Sequence, residues 1–69
     1  MKVYVLESLG NDASISLHET LHGAKSRAEG KVNMQFYEWK PIDESSDWAL
    51  VAKDRHETAF VIEYLQVEP

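Results

Sequence analysis

The chain has 69 residues, no cysteine, and a net charge of −5 from twelve acidic against seven basic residues. That length allows one domain, 1–69, and the missing cysteine excludes disulfides, thiolate chemistry and cysteine zinc sites. With 43% hydrophobic and 28% charged residues, the composition is that of a folded domain whose surface repels a phosphate backbone.

Lys2 to Ser8, with Val3-Tyr4-Val5-Leu6 at its centre, reads as a first strand. Gly10-Asn11-Asp12 is turn chemistry. Ser14-Ile15-Ser16-Leu17-His18 alternates polar with apolar, the pattern of a half-buried strand, and pairs with the first segment as a hairpin. Thr20 is then placed to cap a helix on which Leu21, Ala24 and Ala28 fall at i, i+3 and i+7. Gly30 closes that helix and Lys31 complements its C-terminus. A competing reading carries the helix back to Asp12, since Leu17, Leu21, Ala24 and Ala28 also keep helical spacing. Ser14, Ile15 and Ser16, as mediocre helix formers, and Thr20 and Gly23 within it weigh against it.

Three strands fill the second half: Gln35 to Lys40, Trp48 to Ala52, and Thr58 to Val67. The polar segments Pro41 to Asp47 and Lys53 to Glu57 connect them. The expected fold is therefore α+β, a mostly antiparallel sheet of five strands in the order β-β-α-β-β-β with one helix packed on one face. No apolar run approaches the ~18 residues of a membrane-spanning helix. The opening run is also too short for a signal-peptide core, so a soluble, cytoplasmic protein without membrane contact is expected.

One catalytic pattern is present. His18-Glu19-Thr20-Leu21-His22 matches H-E-x-x-H, which in zinc peptidases works because both histidines lie one helical turn apart and the glutamate activates metal-bound water. Here it straddles the expected strand–helix junction, and no third ligand follows at a recognised spacing. There is no glycine-rich phosphate loop, Ser45-Ser46 has no nearby histidine base, and the carboxylates of Glu38, Asp43, Glu44 and Asp47 lack the spacing of a calcium loop. The expectation is a non-enzyme with no cofactor and no metal site. A metal-dependent hydrolase built on His18, Glu19 and His22 is the remote alternative.

Apolar excess points to binding instead. Alternation sets Phe36 against Tyr37 and Trp39, sets Trp48, Leu50 and Ala52 against Ala49 and Val51, and sets Phe60, Ile62 and Tyr64 against Val61 and Leu65. Both sheet faces are thus rich in apolar side chains, more than one helix covers. Phe36, Phe60 and Ile62 are expected in the core. Tyr37, Trp39 and Trp48 are candidate partner-binding residues, with Asp43, Glu44 and Asp47 as a charged rim that steers a basic partner. The cations Lys25, Arg27 and Lys31, interrupted by Glu29, make too weak a patch for direct nucleic-acid binding. A chain this short buries only about 60% of its unfolded surface. Its core supplies about 3–5 kcal/mol, so self-association as a homodimer with a structural or regulatory role is the alternative to a protein partner.

In format, with a Lys2–Leu6 strand, a Thr20-capped alanine-rich helix ending at Gly30 and Trp- and Tyr-containing hairpins, the chain resembles small early-region proteins of bacterial viruses, including some small anti-CRISPR proteins in which a sheet wraps one helix. The resemblance implies a stoichiometric inhibitor that occupies a surface of a host defence or nucleic-acid-handling complex, in the host cytoplasm. It carries over no site residue.

Overall fold

A computed structural model describes residues 2–10, 13–44 and 46–67. Asn11 and Asp12 of the first expected turn, and Ser45 of the acidic connection, lie outside the described residues. The elements follow in the order β1 (Lys2–Ser8), β2 (Ile15–His18), α1 (Leu21–Glu29), β3 (Tyr37–Pro41), β4 (Trp48–Ala52) and β5 (Thr58–Gln66). All five strands join one antiparallel sheet ordered β2-β1-β5-β4-β3. The long β1 and β5 sit side by side at its centre, paired over seven residues from Lys2↔Gln66 to Ser8↔Phe60.

Ser14 to His18 does not continue the helix. Ile15–His18 is extended and pairs with β1 from Tyr4↔His18 to Glu7↔Ile15. The helix begins where the sequence supplies a cap: Thr20 is extended (φ −130°), and its side chain accepts the Gly23 N–H at 3.0 Å. Gly23 is suited to this turn, because a Cβ there would stand 3.1 Å from Thr20 Oγ1. At the other end Gly30 remains right-handed at φ −69°, its N–H bonded to Ser26 O, so no left-handed residue is needed to stop α1.

The helix lies on one face of the sheet. Ala24 and Ala28 are fully buried and their small side chains allow close approach to Leu6, Leu50, Phe60 and Ile62, which form the core with them. Val32 and Met34, from the segment after α1, pack onto the same core. Phe60 and Ile62 are core residues as expected, but Phe36 is not: it is 56% exposed. The cause is an Asn33 turn, in which Gln35 N–H donates to Asn33 Oδ1 and Phe36 N–H to Asn33 O. Both residues are thereby held out of β3, which starts at Tyr37 rather than Gln35.

The register between β4 and β5 shifts between Leu50↔Phe60 and Val51↔Thr58, leaving Ala59 as an extra residue on β5. Its carbonyl is taken by the Leu9 N–H at 3.0 Å. Two turn residues, Asp43 (φ 51°) and His56 (φ 54°), adopt the left-handed region. Both are residue types for which that conformation is several-fold enriched.

Candidate protein-binding surface

Tyr37, Trp39 and Trp48 share the helix side of the sheet and are half-buried against the core. The two tryptophans are tied to α1. Trp39 Nε1 donates to Glu29 Oε2 at 2.8 Å, and the Lys25 ammonium sits 3.7 Å from the Trp48 ring centroid and 5.5 Å from that of Trp39. Lys25 and Glu29, one turn apart on α1, thus extend the helix's grip from its alanines to the β3–β4 end of the sheet. This arrangement clamps the helix, and Lys25 is taken out of the set of cations that the sequence placed together with Arg27 and Lys31.

The acidic connection divides in the same way. Asp43 and Glu44 are exposed. Asp47 is half-buried: its backbone carbonyl accepts the Ile42 N–H, and its carboxylate accepts the Tyr64 N–H at 2.9 Å. Tyr64 lies two residues past Ile62, the partner of Trp48 at the start of β4, so the Asp47 side chain satisfies a donor that β4 is too short to reach. Of the rim expected from the sequence, Asp43 and Glu44 stand in solvent and Asp47 splices β5 to the turn.

His18, Glu19 and His22 do not share a helix. His18 belongs to β2, where its Nε2 lies 2.8 Å from Ser16 Oγ, while His22 is on the exposed side of the first turn of α1. Among the described residues no three His, Asp or Glu side chains gather in a group that could hold a metal ion.

The surplus apolar surface lies on the opposite, helix-free face. Strand register sets Leu17, Val5 and Glu63 in one row, Ile15, Glu7, Val61, Ala49 and Lys40 in the next, and Val3 beside Leu65 at one end. Val5 is buried by its neighbours, whereas Ile15, Leu17 and Leu65 are 70%, 68% and 48% exposed. No other large hydrophobic among the described residues is as open as Ile15 and Leu17. An open depression of about 580 Å³ beside them is lined by Lys2, Val3, Leu17, His18 and Glu19. Of the charges on this face, Glu38 and Lys40 pair with each other at 4.0 Å. Glu7 and Glu63, flanking Val5, have no ion-pair partner among the described residues.

The sequence pattern implies that one helix leaves apolar sheet surface uncovered, and residue type favours the aromatic side chains as its bearers. The aliphatic side chains on β2, β1 and β5 carry it. The available signal was the alternation Ser14-Ile15-Ser16-Leu17-His18, which puts Ile15 and Leu17 on one face of a strand with Val3 and Val5 next to it. Against protein-family models, curated proteins and solved structures, the chain finds no match. Among the described residues no helix is long and apolar enough to cross a membrane.

Proposed function

We propose that this chain is a non-enzymatic protein-binding module whose contact surface is the helix-free face of its sheet. The observation that carries this is the strip of Ile15, Leu17, Val3 and Leu65, with the two most exposed large hydrophobics of the described molecule at its edge. An antiparallel sheet with one face in water ordinarily reads polar on that face, and a contiguous apolar patch rimmed by charge marks an interaction site. The net charge of −5 and the carboxylates of Glu7 and Glu63, which have no ion-pair partner among the described residues, suit the face to a basic partner surface. Basic surfaces of that kind occur on nucleic-acid-handling complexes, so a stoichiometric inhibitor of such a complex is the specific form of the proposal.

The test is affinity capture from a bacterial lysate with three baits: the wild-type chain, a Leu17→Asp/Leu65→Asp variant and a Trp48→Ala variant. A specific partner should be recovered by the first and third and lost by the second. A partner retained by the face variant and lost with Trp48→Ala would move the site to the helix side.

A further inference from the structure

Ser8 N–H donates to Ser14 O at 2.9 Å, and this bond fixes the phase of the β1–β2 ladder. In an antiparallel pair, hydrogen-bonded and non-hydrogen-bonded positions alternate. With the register Leu6↔Ser16 and Tyr4↔His18, Ser14, Ser16 and His18 turn their backbone groups toward β1. Ile15 and Leu17 therefore turn theirs outward, away from the sheet. Leu9 N–H donating to Ala59 O, on the β5 side, keeps the same alternation along β1.

The two residues with outward backbone groups are the same two whose side chains stand 70% and 68% exposed on the helix-free face. No proline or charged residue occurs within Ile15–His18. The other edge of the sheet is blunted: carrying the same alternation across β5 and β4 turns Tyr37, Trp39 and Pro41 outward on β3, where Pro41 has no N–H to give, and Lys40 and Glu38 flank them. Lysine and proline are the usual devices that keep an edge strand from pairing. One edge carries them and the other does not.

We infer that the outer edge of β2 accepts an extended segment of a partner protein as a sixth strand. This deepens the proposed function, on which it rests, by naming how the partner binds. Main-chain bonds to Ile15 and Leu17 provide the pairing, and alternate side chains of the added strand provide the selectivity. Residues opposite Ile15 and Leu17 fall on the helix-free face and extend its apolar strip, so they are apolar. Residues between them lie over Ser16 and His18 and are polar. Glu7, beside Ile15 on the helix-free face, and Glu19, directly after β2, call for Lys or Arg flanking the apolar residues of the segment, and the net charge of −5 favours cations at its polar positions as well. Lys2, at the adjoining depression, is the one cation among the residues lining it.

A second copy is the competing occupant, since an antiparallel pairing of Ile15 with Leu17 of the copy is self-complementary. It joins two chains of charge −5 through four-residue strands, an edge too short to bury the roughly 1,200 Å² of a stable interface. A heterologous segment carrying Lys or Arg escapes the charge repulsion, and a transient strand-addition complex belongs to the class of smaller interfaces, which a four-residue edge can supply.

The test uses synthetic eight-residue strand peptides with Val or Ile at alternate positions and either Lys or Glu at the others, titrated into the full chain and followed by amide NMR. The lysine series should shift the Ile15 and Leu17 amides and bind at least tenfold more tightly than the glutamate series. N-methylation of the peptide at its pairing positions should abolish the effect. So should Leu17→Pro, which removes the outward N–H, whereas Leu17→Thr, which trims the side chain but keeps that N–H, should retain the shifts. Shifts confined to Val3, Val61 and Leu65 and unaffected by N-methylation would overturn strand addition while leaving the face reading intact. Failure of both peptide series to shift any residue would overturn it together with the basic-partner reading. Concentration-dependent dimerisation abolished by Leu17→Pro would assign the edge to a second copy instead.

Discussion

If Leu17 serves binding rather than folding, replacing it should cost the fold little. Leu17 is 68% exposed, so folding removes only about a third of its side chain from water. Full burial of a leucine is worth about 1.5–3 kcal/mol, which sets the loss for Leu17→Thr at ~0.5–1 kcal/mol, and threonine keeps the strand propensity of the site. Leu50 is the internal reference. It is fully buried between Ala24, Ala28, Phe60 and Ile62, and Leu50→Ala should cost about 2–5 kcal/mol. A 69-residue domain of ~3–5 kcal/mol total stability would then be close to unfolded. Urea denaturation and thermal melts followed by far-ultraviolet circular dichroism measure both. At this size 1 kcal/mol shifts Tm by about 4–8 °C, so Leu17→Thr should lower Tm by no more than about that interval. A loss above ~2 kcal/mol at Leu17, or equal losses at the two sites, would show instead that Leu17 is covered in the native protein and serves the fold.

Three other predictions follow from particular contacts. Asp47→Ala leaves the Tyr64 N–H without its acceptor and should cost ~1–2 kcal/mol while speeding hydrogen exchange at the Tyr64 amide; unchanged exchange there would contradict the splice. Lys25→Gln removes the ammonium from the Trp48 and Trp39 rings. It should lose ~0.5–1 kcal/mol and shift tryptophan fluorescence, and an unaltered spectrum would show that the clamp does not form in solution. His56→Gly relieves a left-handed backbone at φ 54° and should stabilise by up to ~1 kcal/mol, read as a rise in Tm; a fall would mean that the His56 side chain makes a contact worth more than the relief.

The order of elements was legible because each has a local cause. Thr20 caps α1 through a bond to the third residue after it, and Ala24 and Ala28 mark the face that must approach the sheet. Ser14 to His18 reads as strand because alternation outweighs a weak helical spacing. Boundaries were less legible where a side chain intervenes: Asn33 holds Gln35 and Phe36 in a turn, and Phe36 consequently leaves the core. The site was legible only in part. Alternation showed two apolar faces, but which face the helix covers depends on the strand order β2-β1-β5-β4-β3 and on Lys25 and Glu29 reaching the tryptophans. Those are non-local facts. Residue type alone favoured Trp39 and Trp48 as binding residues, whereas exposure favours Ile15, Leu17 and Leu65.

The absence of native cysteine allows the central claim to be tested directly by site-specific blocking. A bulky maleimide is attached to Leu65→Cys on the helix-free face or, in a parallel sample, to Ser26→Cys on the exposed side of α1, and each labelled protein is compared with its unlabelled form for capture of the partner that the wild-type chain recovers. Blocking at position 65 should abolish capture and blocking at position 26 should leave it intact. Capture that survives the label at 65 and is lost with the label at 26 would contradict the assignment of the helix-free face as the binding surface.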